Sequence, residues 1–347
     1  MTPEHLYVRV DASREIGIGH FMRCLALTEH WRDQGGHATF IGICPASLRR
    51  RLENEGIRHV DLEAPHPDPA DLERTAASIP PSVPVVIDGY PFDAAYQKRL
   101  GESGRRVMVI DDAGHLPAYE ADLLLNQNIG AERIAYPEAP AMRLLGPEYV
   151  LLRREFLRWV GWHREVTPVA SNLLVTLGGG DAGNYTVRVA EALTGPAFRR
   201  ARVRIVTGPD NPHGATLSRL AEGQEGRFQV LSDVSCISEQ MAWADLAISA
   251  GGTTCWELAF MGLPSVLITV ADNQEAIVAG MKSREAAIDL GAAAELEWDH
   301  LGRVVEGLLR DQEGRRLMSE NGRRMIDGRG PSRVVAALKR PSVAEGS

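Results

Sequence analysis

Short β-forming runs alternate with helical patterns along nearly the whole chain, and this alternation restricts the fold more than any other feature. The runs at residues 6–10, 38–43, 83–88, 107–111 and 123–126 read as strands, and the series restarts at 173–177, 203–207, 228–231, 246–249 and 265–269. Residues 20–34 show the helical counterpart, with Phe21, Cys24, Leu25, Thr28 and Trp31 on one face and Gly35-Gly36 as the stop. Helices between strands are the crossovers of parallel sheets, so the pattern predicts an α/β protein built twice over. The stretch Trp159 to Pro168 breaks both periods. The expected layout is therefore an N-terminal Rossmann-like domain over residues 1–160, a linker over 161–170, a second Rossmann-like domain over 171–330 and a tail over 331–347. The two domains are expected to face each other across a cleft.

Composition narrows the function. The 347 residues include 38 Lys and Arg against 46 Asp and Glu, a formal charge of −8, and 44% are apolar. Such a chain can bury two cores and lacks the basic footprint of a nucleic-acid or anionic-membrane binder. A local pocket for one small anion stays open. Cys24, Cys44, Cys236 and Cys255 form no CxxC pair, which points to reduced thiols and a cytosolic setting rather than a disulfide or zinc framework. The start, MTPEHLYVRVDAS, has no leader pattern, and no apolar run approaches the ~18 residues of a membrane span. The Pro-rich segment at 63–69 and the residues after Pro331 read as surface loop and frayed terminus without a function.

Parallel sheets bind ligands at the carboxyl ends of their strands, so the loops just after strands are where chemistry belongs. The first strand runs into Asp11-Ala12-Ser13-Arg14-Glu15-Ile16-Gly17-Ile18-Gly19-His20, a glycine turn that delivers a histidine to a helix start. The dinucleotide fingerprint fails here, because its third glycine is Met22 and no acid ends the second strand. A helix N-terminus favours a neutral imidazole, which makes His20 a candidate general base; a turn-capping histidine is the equally weighted alternative. Asp88-Gly89-Tyr90 and Asp111-Asp112 close two more strands at the same edge. These acids either orient a base, bind sugar hydroxyls or cap turns.

In the second half, Gly178-Gly179-Gly180-Asp181-Ala182-Gly183 follows a strand and formally fits G-x-G-x-x-G, although no acid ends the next strand. A loop that lets backbone approach a phosphate explains it as well. The stronger signal is Ser249-Ala250-Gly251-Gly252-Thr253-Thr254-Cys255-Trp256-Glu257, small residues meeting a helix start, which suits a diphosphate held by N–H groups and threonine hydroxyls without a metal. Glu257 lies one turn in, placed for the two hydroxyls of a ribose or for a plain surface role. Asp272-Asn273-Gln274-Glu275 offers polar groups for a sugar, or a helix cap.

Taken together, the Gly-x-Gly-His turn, the Gly-Gly-Thr-Thr-x-x-Glu helix start and the two-domain pattern resemble the glycosyltransferase B fold. Asp11-Ala12-Ser13, Ile16 to His20 with Arg23, Asp88-Gly89-Tyr90, Asp111-Asp112, Leu123 to Asn128, Leu145 to Arg153 and Asn273-Gln274-Glu275 resemble, more closely, the UDP-2,4-diacetamido-2,4,6-trideoxy-β-L-altropyranose hydrolase family of the pseudaminic acid pathway. The likeness runs in order from residue 6 to about 295. It implies inverting, metal-independent hydrolysis at the anomeric carbon of a UDP-linked acetamido, deoxy sugar, with no cofactor. By the same resemblance His20 is the base, and Asp11, Gly19, Arg23, Tyr90, Asn273 and Gln274 bind the substrate. Gly178, Gly179, Gly180, Val234, Gly251, Gly252, Thr253, Thr254 and Glu257 would take the nucleotide, with the uracil near Val234. The alternative is an inverting UDP-sugar-dependent glycosyltransferase that acts on a small-molecule hydroxyl.

Overall fold

The computed structural model describes residues 4–340 apart from 14, 15, 139, 141, 179, 180, 182, 209, 210 and 233. Two units divide the chain, one from the N-terminus to Arg154 together with the residues from Gly328 onward, the other Glu155–Asp327. Each is built on a parallel sheet, as the alternating pattern predicts.

The first sheet has seven strands: β1 His5–Val10, β2 His37–Ile41, β3 Arg58–Val60, β4 Pro84–Asp88, β5 Arg106–Ile110, β6 Leu123–Asn126 and β7 Met142–Leu145, in the order β3-β2-β1-β4-β5-β6-β7. The second has six: β8 Asn172–Thr176, β9 Arg202–Thr207, β10 Phe228–Ser232, β11 Leu246–Ala250, β12 Ser265–Thr269 and β13 Ile288–Ala292, in the order β10-β9-β8-β11-β12-β13. Central strands read as continuous apolar runs because helices cover both faces; Val8, Val86, Leu173, Val175 and Ile248 are fully buried. In both sheets the order turns around beside the first strand, between β1 and β4 and between β8 and β11. That is where adjacent loops leave in opposite directions and open a crevice at the carboxyl edge.

Three strands escape the sequence pattern: β3, β7 and β13 lie at the sheet edges, and their alternation is too short or too polar to register. The ends of the chain also depart from expectation. Gly330–Leu338 is a helix, not a frayed tail, and Val334, Val335 and Leu338 pack with Leu25 and Trp31 in the core of the first unit. The stretch expected as a linker belongs to the second unit. Arg164 donates to the carbonyls of Met241 and Met261 at 2.7 and 3.2 Å and to that of Ala244. Arg315 holds the Thr167 and Pro168 carbonyls at 2.8 and 3.2 Å. Two guanidiniums thus satisfy backbone acceptors that an unpaired connector would leave to water.

Cys24, Cys44 and Cys255 are buried, Cys236 is half-buried, and all four are free thiols. No helix among the described residues is long and apolar enough to cross a membrane.

Candidate active site

The crevice of the first sheet holds an interlocked set of charged side chains. Gly19–Asp33 is the helix after β1, and His20 is its second residue, buried beside the end of β4. Strand register sets Asp88, the last residue of β4, opposite Val10 and Ile110. There His20 Nδ1 lies 2.6 Å from Asp88 Oδ1. Arg23, one turn further along the helix, donates Nε to Asp88 Oδ2 at 2.6 Å and Nη2 to Oδ1 at 2.7 Å. Its remaining nitrogen forks onto both oxygens of Asp112 at 2.8 Å, and Asn128 Nδ2 donates to Asp112 Oδ1 at 2.8 Å.

Burial alone would raise the pKa of Asp88, but Arg23 and then His20 outweigh it and hold the carboxyl well below the usual carboxylate range. An ionised Asp88 can only accept, and its 2.6 Å contact is shorter than the 3.0 Å approach of Arg23 Nη2 to the same nitrogen, so the proton is assigned to His20 Nδ1, leaving the Nε2 lone pair of the neutral ring as the acceptor. A base held in one tautomer by a carboxylate that is itself fixed is the arrangement that proton abstraction needs. The ring of Tyr90 stands edge-on to His20 with centroids 5.2 Å apart, and Tyr90 is partly exposed. His20, Arg23 and Tyr90 therefore come together, with Gly19 directly before the histidine.

Asp11 does not join them. Its carboxylate pairs with Arg9 at 2.7 and 2.9 Å and accepts from the N–H groups of Ile43 and His66. Arg9 also holds Asp71, whose Oδ2 contacts His66 Nδ1 at 2.8 Å. Asp11 ties three loops together inside the unit, which leaves none of its oxygens unengaged. The 63–69 segment, expected to be bare surface, contributes His66 to this buried network. Arg23 differs in a smaller way, since its guanidinium is spent on two carboxylates of its own unit.

The crevice of the second sheet is lined by backbone. Gly178 follows β8 at φ +95°, with open space where a Cβ would stand. Gly179 and Gly180 lie outside the described residues. Asp181 accepts from the N–H groups of Tyr185 and Thr186 at 2.8 and 2.9 Å, so the start of the helix Tyr185–Ala192 is already capped by a carboxylate of this loop. The formal G-x-G-x-x-G match thus loses the helix end on which a pyrophosphate would rest. The other helix start, at Thr254–Phe260, carries no side-chain cap. Gly251, Gly252 and Thr253 lead into it, and Glu257 is in its first turn. Gln274 Oε1 accepts from Gly251 N at 3.1 Å and Val270 N at 3.0 Å, clasping the loops after β11 and β12. Asn273 is exposed on the turn Asp272–Gln274, and Val234 is half-buried after β10. Among the described residues no group of three or more His, Cys, Asp and Glu side chains could hold a metal ion.

Asp88 and Asp112 stood out in the sequence as strand-end acids able to orient a base, but with no partner assigned, and Asn128 only as part of the resemblance. Their signal was present as polar residues ending β4, β5 and β6, but which of them meets His20 depends on strand order.

Comparison with known proteins agrees with this architecture. Residues 172–313 match the Glycosyltransferase family 28 C-terminal domain. The spore coat polysaccharide biosynthesis protein SpsG of Bacillus subtilis is 24% identical over 343 residues, covering 96% of this chain and 98% of that protein. An uncharacterized protein of Methanocaldococcus jannaschii is 25% identical over 267 residues, which cover 74% of this chain and only 54% of the relative, so the match spans about half of that protein. Among solved structures, MurG of Acinetobacter baumannii superposes with a TM-score of 0.64 at 15% identity, over 97% of this chain and 99% of that one. These likenesses establish the two-domain glycosyltransferase B fold.

Proposed function

We propose that this chain is a nucleotide-sugar hydrolase: it cleaves the anomeric C–O bond of a UDP-linked acetamido, deoxy sugar with inversion and releases UDP and free sugar. The observation that carries the reading is His20, with Nδ1 locked onto buried Asp88 at 2.6 Å and Nε2 left as a proton acceptor. Water attacks the anomeric carbon on the face opposite the diphosphate, its proton passes to His20 Nε2, and the bonding pair of the breaking C–O bond leaves with UDP. A positioned base of this kind contributes about 10² to 10⁴ in rate.

In this reading Tyr90, Asn273 and Gln274 contact the sugar, Glu257 holds the ribose, and Val234 lies near the uracil. Gly251 to Thr254 hold the diphosphate at the helix start, and the loop that begins at Gly178, whose own helix start Asp181 caps, approaches it with backbone only. Fixed N–H donors stabilise the charge that develops on the leaving group, at about 3 kcal/mol per well-placed donor. Asp11 and Arg23 act one step back, shaping the loops and holding Asp88. A cytosolic setting suits the free thiols.

The family 28 domain match favours a second reading, an inverting transferase in which His20 takes its proton from a hydroxyl of a small acceptor. Incubation of the purified protein with candidate UDP-sugars and no acceptor separates the two. Hydrolysis predicts stoichiometric UDP and free sugar in buffer alone; UDP release only after a hydroxyl compound is added moves the assignment to transfer. Turnover that persists in His20→Asn overturns both.

A further inference from the structure

A second histidine packs on Tyr90. The ring of His115, on the loop after β5, is edge-on to that of Tyr90 with centroids 5.7 Å apart, as the His20 ring is at 5.2 Å. Its Nδ1 is 3.1 Å from Asp111 Oδ1 and its Nε2 is 3.0 Å from the Tyr90 carbonyl oxygen. A carbonyl accepts and never donates, and the same holds for an ionised carboxylate. A neutral imidazole has one N–H and serves one of these oxygens; only the imidazolium serves both.

Asp111 is fit for its part. Burial would raise its pKa, but the Tyr119 hydroxyl, the Ala113 N–H and His115 together lower it. It accepts from Ala113 N and Gly114 N at 2.8 and 3.1 Å, besides the Tyr119 hydroxyl. Among the described contacts, His115 meets Asp111 and Tyr90; Tyr119 lies behind that carboxylate, and His20, Arg23 and Asp112 form the next layer beyond Tyr90.

We propose that His115 is the positioning residue for Tyr90: as an imidazolium it bridges Asp111 to the Tyr90 carbonyl and keeps the Tyr90 ring edge-on to His20. This rests on the reading of His20 as the base.

The test combines kinetics with a measurement that needs no substrate. His115→Ala lowers kcat by tenfold or more, toward the ~10²-fold that a misplacement of about 1 Å can cost, while the affinity for UDP alone stays that of the wild type. His115→Gln, whose amide can still donate to the Tyr90 carbonyl, recovers part of the rate. Nitrogen-15 spectra of the wild type in the assay buffer show both ring nitrogens of His115 protonated. An unchanged rate in His115→Ala, or a His115 ring with one unprotonated nitrogen, overturns the clamp. Absence of any nucleotide-sugar turnover by the wild type would instead sink the proposed function, and the ring-nitrogen spectra would still decide for or against the clamp.

Discussion

The two sheets share a strand order around their turning points, yet they furnish those points in opposite ways. At the ends of β1, β4 and β5 the first unit sets four charged or titratable side chains, His20, Arg23, Asp88 and Asp112, each in contact with another. At the ends of β8, β11 and β12 the second unit sets glycines, a helix start that its N-cap residue leaves without a side-chain cap and one amide that clasps two loops. A side-chain cluster can move a proton, whereas a backbone-lined crevice offers many weak, fixed donors to a ligand that brings its own charge. In the proposed reading one topology yields a chemical station and a docking station, and the distinction is made by which residues terminate the strands.

The sharpest way to break this contrast is to remove the base. His20→Asn should lower turnover by about 10² to 10⁴ while the Kd for UDP, measured by calorimetry, stays near the wild-type value. Parallel losses in both would mean that the first unit also carries the nucleotide, and the division of labour would fail.

Next comes Arg23→Met, which leaves the Asp88 charge buried with His20 and the weakly donating Cys24 thiol beside it but no guanidinium. Breaking a buried pair from one side costs about 3–5 kcal/mol, readable in urea unfolding near neutral pH. The sign with pH follows from the direction of the shift. The folded Asp88 pKa lies below its unfolded value of about 3.9, so its stabilisation is fully present above that value and is lost as pH falls through the lower folded pKa. The gap between wild type and variant should therefore be widest in neutral and mildly acidic buffer and shrink in strong acid. A gap that instead widened on acidification would contradict the charged pairing.

Much of this was legible beforehand. The ten strands expected from periodicity are all present within one or two residues of their predicted ends, since a central parallel strand announces itself as an apolar run. His20 was legible too, because a glycine turn after a strand delivers it. The partnership with Asp88 was not, because 68 positions separate the two residues and only the adjacency of β1 and β4 joins them. Asp11 misled for a related reason. An acid at a strand end looks the same in sequence whether it faces a ligand or an arginine two residues earlier on its own strand. The final helix was hidden because its apolar face, Val334, Val335 and Leu338, is short and follows a proline that reads as a breaker, although proline is well tolerated in a first helical turn.

In the second unit the corresponding experiment is Glu257→Ala. If this carboxylate receives the ribose hydroxyls, its removal should weaken UDP binding by about ten- to a hundredfold, the worth of a charged hydrogen bond. Binding of inorganic diphosphate should barely move, which separates a ribose contact from a general loss of the loop.

The smallest expected effects test the contrast most finely. Gly17 in the first unit and Gly178 in the second both have positive φ, +82° and +95°, and neither has an atom within 4 Å of where a Cβ would stand. Alanine at either position therefore meets no clash, and the cost is backbone strain alone, about 1–2 kcal/mol each. Similar losses of Tm are expected, yet the functional readouts should diverge. Gly17→Ala disturbs the turn that delivers His20, so it should lower kcat and spare UDP affinity. Gly178→Ala disturbs a loop assigned to the diphosphate, so it should weaken UDP and change kcat at saturation much less. Gly251→Ala is the control for space rather than strain, because its Cβ would come within 2.2 Å of Val278 Cγ2 and must displace that side chain. If the two open glycines gave the same functional phenotype, the loops of the two sheets would be serving one task, and the separation of chemistry from docking would have to be abandoned even with His20 secure as the base.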